Sequence, residues 1–154
     1  MTIEAIPLSP LTDTVSPELS LADALRRMLK HNINNIAVCD LQGRWLGLLN
    51  IVEILGQVLP VSARVEGGLT NLAFAGDASS LLTAHIHDLK AKHVGDAMRT
   101  DLPVLGERHP LLETALLLYR HEHPLPVVGT DGRLRGMLSR RALLAYLADK
   151  GGLA

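Results

Sequence analysis

Two stretches of this chain, GRWLGLLNIVEIL (residues 43–55) and GRLRGMLSRRALL (residues 132–144), are variants of one phrase. An internal repeat limits the fold strongly, because each copy has to form the same supersecondary unit. Gly43, Gly47, Asn50 and Glu53 align with Gly132, Gly136, Ser139 and Ala142 at a constant shift of 89. Earlier in each half the shift is 90, with Ser20 and Leu21 on Pro110 and Leu111, and His31 on His121. The one-residue difference falls between a helix and a strand, where a deletion costs little.

Each half spells the same order of elements. A short extended segment (Thr14-Val15; Val104-Leu105) and a turn come first. An amphipathic helix follows. Ser20 is a good N-cap and Asp23 completes the spacing of a capping box, while Pro110 suits the first turn of the second copy. Leu21, Ala24, Leu25, Met28 and Leu29 form one apolar stripe, repeated by Leu111, Leu112, Ala115, Leu116 and Tyr119. An apolar strand, IAVC or LPVV, then passes through a tight turn, DLQG or GTDG, into a partner strand, WLGLL or LRGML. Closing helices are expected over 51–59 and 140–149. The unit is β-α-β-β-α, twice. Residues 61–93 stand outside the repeat, too apolar for a solvated linker and longer than usual connections, with a short helix expected over 81–89.

A chain of 154 residues buries about 70% of its unfolded surface, enough for one compact module. Aromatics are only 3%, so Leu, Val, Ile and Ala must build the core. A net charge of −1 gives no electrostatic case for nucleic acid or an anionic membrane. The single Cys39 cannot form an internal disulfide, no stretch reaches a membrane span of about 18 apolar residues, and the first residues lack the pattern of a signal peptide. A cytoplasmic protein is expected.

The stretches NNIAVCDLQGRWLGLLNIVEIL and HPLPVVGTDGRLRGMLSRRALL resemble the CBS domain, named after cystathionine β-synthase, and VGDAMRTDLPVL (residues 94–105) is similar to the segment that introduces many such motifs. On this resemblance residues 1–60 form a first motif, 61–93 an insertion and 94–154 a second motif, together a Bateman module. The resemblance implies an α/β (α+β) fold with two sheets packed face to face about a pseudo-two-fold axis, and clefts for adenosine-containing ligands: AMP, ADP, ATP or S-adenosylmethionine. It also implies a homodimer, a regulatory rather than catalytic role, no required cofactor, and a regulated protein reached in trans.

The positions matching the family's adenine pocket are Thr14 and Val15 with Asn35, Ile36 and Ala37, and Val104 and Leu105 with Leu125 and Pro126. A carboxylate can accept both hydroxyls of a ribose. The family usually places Asp at the last motif position, which here is Glu53 or Ala142. The first cleft is therefore expected to be the better nucleoside site. Asn50 with Glu53, and Ser139 alone, also read as helix caps that need no ligand. Arg140 and Arg141 occupy a first helical turn, where the macrodipole disfavours a cation by about 0.3–1 kcal/mol but an arginine fork can hold phosphate. One reading sends nucleotide phosphates to this pair; the other leaves both side chains in water.

His85 with His87, and His121 with His123, would each pair on one face of an extended segment, yet two imidazoles fall short of a zinc site and no metal is expected. Gly67-Gly68 lacks the spacing of a phosphate loop, and Cys39 reads as core. Two functions remain: a nucleotide-sensing regulatory module, favoured by Glu53 and the two arginines, or a ligand-independent interaction module with vestigial clefts, favoured by Ala142 and the atypical Asn50.

Overall fold

The computed structural model describes residues 1–9, 13–60 and 78–153, so Gly67 and Gly68 and most of the insertion lie outside the described residues. Two three-stranded sheets are formed. The first has the order β1 (Thr14–Val15), β2 (Asn35–Cys39), β3 (Trp45–Asn50), and the second the order β4 (Leu105–Gly106), β5 (Leu125–Val128), β6 (Leu134–Leu138). In the second sheet β4 runs parallel to β5 (Leu105 opposite Val127), and β5 antiparallel to β6 (Pro126 opposite Met137). Helix α1 (Leu21–His31) precedes β2 and α2 (Ile51–Val58) follows β3; α5 (Leu111–Arg120) and α6 (Arg140–Lys150) hold the same places in the second half. Between the halves lie α3 (Ala78–Asp88), a 3₁₀ turn (Leu89–Ala91) and α4 (Val94–Ala97). The architecture is the doubled β-α-β-β-α unit that the repeat implies.

Local chemistry accounts for the boundaries. Ser20 Oγ accepts the Asp23 amide at 3.1 Å, while the Asp23 carboxylate pairs with Arg26 instead of returning to Ser20, so half of the capping box is made. Helix α1 stops where Asn32 turns left-handed (φ 52°). The expected strand at Val104 begins one residue later: Pro103 has no N–H, and pairing with β5 starts at Leu105. The expected helix over 81–89 forms as α3 and its 3₁₀ extension.

The chain divides into two compact units, each drawing on both halves of the sequence. Unit one comprises Met1–Thr14, Cys39–Gly47 and Thr100–Ala154; unit two comprises Val15–Val38 and Leu48–Arg99. The core of unit one joins Leu105, Leu118, Leu125, Val127, Leu138 and Leu143 to Ile3 and Ile6. That of unit two contains Leu21, Met28, Ile36, Leu48, Leu49, Leu89 and Val94. Both are aliphatic, as the scarcity of aromatics requires.

Each unit is closed by a lead-in segment, and the two segments make equivalent bonds. In unit two the Leu21 amide donates to Lys92 O (2.8 Å), the Val94 amide to Leu19 O (2.9 Å), and Leu48 and Arg99 exchange backbone bonds of 2.9 and 2.8 Å. In unit one the Leu111 amide donates to Met1 O (3.0 Å), the Ile3 amide to His109 O (3.1 Å), and the Ser9 amide to Met137 O (2.9 Å). Residues 1–9 thus repeat the role of residues 92–99, and Ser9 is the counterpart of Arg99. The hairpin tips also pair in unit one: Trp45 donates to Gly132 O (3.2 Å) and Leu134 to Gly43 O (3.0 Å). Both tip glycines have φ near +80° (80° and 82°), which explains their recurrence in the repeated phrase.

The lead-in of unit one approaches β6 closely. A methyl group on Gly136 would lie 2.7 Å from Leu8 Cβ and 3.0 Å from Ser9 O, whereas one on Gly106 would meet nothing within 4 Å. Gly136→Ala is therefore expected to destabilise the protein by about 1–3 kcal/mol in urea unfolding, and Gly106→Ala by less than about 0.5 kcal/mol. Equal effects would contradict the close approach.

Candidate functional site

The end of β3 and the start of α2 carry a connected polar arrangement in unit two. Asn50 is only 6% exposed, and it is the N-cap of α2. Its Oδ1 accepts the Val52 amide at 2.8 Å, and its Nδ2 donates to Asn35 Oδ1 at 2.7 Å. The Ile51 amide donates to Asn34 O at 2.9 Å. The first two amides of α2 and both ends of the Asn50 amide are thereby satisfied, as a buried polar side chain requires. This network ties the start of β2 to the start of α2 and sets the direction in which the first turn of α2 projects.

Glu53 lies in that turn, with a side chain only 18% exposed. Its Oε1 is 3.7 Å from Nε of Arg99, an ion-pair distance longer than a hydrogen bond. The backbone bonds between Arg99 and Leu48 set the guanidinium beside the N-terminal end of α2. A carboxylate and a guanidinium thus share one partly buried place at a helix start. Of the sequence-selected residues, Asn35, Asn50 and Glu53 come together here. Val15, Ile36 and Ala37 lie in the neighbouring strands with buried side chains, so their backbone is what they can offer a ligand, and Thr14 is exposed. Arg99 was missed by sequence reasoning. Its signal was present in VGDAMRTDL, where an arginine follows the Met of a segment similar to those that introduce such motifs.

In unit one every polar member of this group is replaced. The shift of 89 sets Pro124 for Asn35, Ser139 for Asn50 and Ala142 for Glu53, and the backbone pairing sets Ser9 for Arg99. Ser139 Oγ accepts the Ala142 amide at 3.1 Å, a helix cap and nothing more. Leu105, Leu125 and Pro126 are buried, and Val104 is exposed. The Arg140 guanidinium turns back along the fold: Nε donates to Leu118 O at 2.6 Å and the outer nitrogen to His121 O, covering carbonyls at the end of α5. A cation there complements the negative end of that helix. Arg141 is exposed.

The remaining candidates have structural surroundings. Cys39 is buried in β2; burial first, and then the neighbouring Asp40 charge, push its thiol pKa up, so it is a neutral thiol at neutral pH. His85 and His87 lie in helical α3, where residues two apart point different ways, and His85 Nδ1 is 2.8 Å from Val58 O. Among the described residues no group of three or more His, Cys, Asp or Glu side chains could hold a metal ion, and no helix is long and apolar enough to cross a membrane.

The doubled fold recurs in known proteins. The CBS domain family matches residues 3–59 and again 94–149, which is most of the chain, and the chain belongs to that family as a tandem pair. Its fold is similar to that of CBSX2, a CBS-pair protein from Arabidopsis thaliana (TM-score 0.76, 22% identity, 99% of this chain and 98% of that one). It is also similar to a CBS domain-containing protein of unknown function from Bacillus anthracis (TM-score 0.75, 22% identity, 97% and 94%). A structure of CBSX2 in complex with AMP matches with a TM-score of 0.70 and 23% identity over 97% and 98% of the two chains. No curated protein matches the chain in sequence.

The asparagine network generates a direct test. Asn50→Ala removes a cap and strands the partly buried Asn35 carbonyl oxygen, so it is expected to cost about 1–3 kcal/mol in urea unfolding, against about 1 kcal/mol for Ser139→Ala, which loses a cap alone. Equal losses, or additivity of Asn35→Ala with Asn50→Ala in a double-mutant cycle, would contradict the coupling described.

Proposed function

We propose that this chain is a regulatory module that senses an adenosine-containing nucleotide in unit two and signals to another protein in trans, without catalysis of its own. The observation that carries the reading is Glu53: a partly buried carboxylate held at the start of α2, at the position where the family places its ribose-binding acid. A carboxylate can accept two adjacent hydroxyls at once. Val15, Ile36 and Ala37 stand at positions that match the family's adenine pocket, and Asn35, which bonds Asn50, directly precedes Ile36. The AMP complex of CBSX2, a protein of the same fold, supports the choice of ligand class.

In unit one Val104, Leu105, Leu125, Pro126 and Ser139 keep the matching positions, but Ala142 has no oxygen for a ribose. The expected stoichiometry is therefore one nucleotide per chain. The reading of Arg140 and Arg141 as phosphate ligands has less support than that of Glu53, because Arg140 is engaged by two carbonyls.

The homodimer implied by the family has a candidate face in unit one. Leu112 (83% exposed), Tyr119 (82%) and Leu144 (64%) stand out on α5 and α6 beside a groove of about 460 Å³ lined by Leu118, Leu143 and Leu147. An apolar surface of this kind is more often covered than left in water. Tyr119→Asp with Leu144→Asp is expected to convert a dimer into a monomer in light scattering. A dimer that survives this change uses another face.

Calorimetric titration with AMP, ADP, ATP and S-adenosylmethionine tests the central reading. At least one is expected to bind with a stoichiometry near one per chain, and Glu53→Ala to weaken it by about 10-fold or more, the worth of hydrogen bonds to a charged group. Absence of binding by all four would leave the ligand-independent interaction module as the better account.

A further inference from the structure

We infer that α2 couples the unit-two site to the insertion: α3 is seated on the far end of α2 through His85, and filling the site tightens that seat. This rests on the nucleotide reading above and extends it from what is bound to how binding is passed on. The first support is geometric. Helix α2 has eight residues, a rod of roughly 12 Å, with the Asn50 network and Glu53 at its start. At its other end the chain leaves extended at Leu59 and meets Pro60, which has no N–H, and the last turn holds no basic side chain. The insertion supplies what this helix end lacks. His85 Nδ1 is 2.8 Å from Val58 O, and a carbonyl only accepts, so the ring donates. Lys92 Nζ donates to Gln57 Oε1 at 3.0 Å. Donors and cations both complement the carbonyl end of a helix.

The second support is the comparison with unit one. Helix α6 is finished by its own chain: the Gly151 amide donates to Leu147 O and the Leu153 amide to Ala148 O, both at 2.8 Å, and Lys150 stands in the last turn. The unit that carries the carboxylate at its helix start is thus the one whose closing helix is completed by the insertion. The third support is how lightly α3 is held. Of residues 80–88 only His85 is half-buried, while Leu81, Leu82 and Ile86 are exposed. Eleven residues form a marginal helix on their own, so α3 depends on its seat and opens at low cost. Helix formation is cooperative over so short a length as that of α2. A ligand that restrains the first turn through Glu53 therefore restrains the last turn as well, and Val58 O stays in place for His85.

The experiment pairs calorimetry with amide hydrogen exchange over residues 80–88, in the wild type, His85→Ala, His85→Asn and His87→Ala. The probe is whichever of AMP, ADP, ATP and S-adenosylmethionine binds the wild type most tightly. At saturation it is expected to slow exchange in α3 by about 5-fold or more. Without ligand, His85→Ala should speed that exchange by at least as much, although alanine is the better helix former. Coupling is reciprocal, so His85→Ala should also bind the same nucleotide about 5-fold or more weakly, from the opposite end of α2. His85→Asn, which keeps a donor near the place of Nδ1, should restore part of both effects. His87→Ala, at an exposed position, should change neither. Unaltered affinity in His85→Ala, or exchange in α3 that the bound nucleotide leaves unchanged, overturns the coupling while the nucleotide reading stands. If none of the four binds the wild type, the nucleotide reading falls and this inference falls with it.

Discussion

The Asn50 side chain is the tie on which the candidate site depends. It caps α2 through Val52, reaches Asn35 at the start of β2, and ends β3, so three elements meet at one buried amide. Such a group is costly to bury unless all its bonds are made. Here the bonds made are also the ones that orient the first turn of α2. Glu53 is presented because Asn50 is satisfied, and the pairing of Arg99 with Leu48 brings the counter-charge to the same end of the helix.

Duplication explains both the regularity of the fold and the inequality of its sites. The aliphatic cores, the positive-φ glycines at the hairpin tips and the backbone bonds of the lead-ins recur in both halves. These are constraints of packing and backbone geometry, and each copy has to meet them. Side chains at the start of the closing helix are under no such requirement. Asn35, Asn50, Glu53 and Arg99 in unit two face Pro124, Ser139, Ala142 and Ser9 as counterparts, a change of the whole polar group. Arg140 shows how a residue freed from the shared pattern acquires a local task, covering the carbonyls at the end of α5.

Much of this was legible in the sequence, for physical reasons that differ by feature. The strands and helices could be read because periodicity, caps and turn glycines are local signals; LPVV became β5 residue for residue, and Ser20 and Ser139 cap as expected. The helix-start position of Glu53 followed from the repeat alone. What could not be read were contacts made across the chain. The guanidinium of Arg140 bonds residues 19 and 22 positions earlier, and Arg99 meets Glu53 from 46 positions away. The correspondence of residues 1–9 with 92–99 was also hidden, because it is carried by backbone bonds and not by matching letters. Fold-wide likeness at 22–23% identity agrees with this: the backbone architecture persists through extensive change of sequence.

The central claim is that one unit of this doubled fold is chemically equipped for a nucleotide and the other is not. Backbone amide NMR during an AMP titration tests it most directly, because it reports where the ligand goes. The account predicts saturable shifts at Asn35, at Asn50, Val52 and Glu53, and at Arg99, with Ser139, Arg140 and Ala142 unmoved by direct contact at the same ligand concentration. Saturation of the Ser139–Ala142 signals first, or shifts of similar size and affinity in both units, would contradict it.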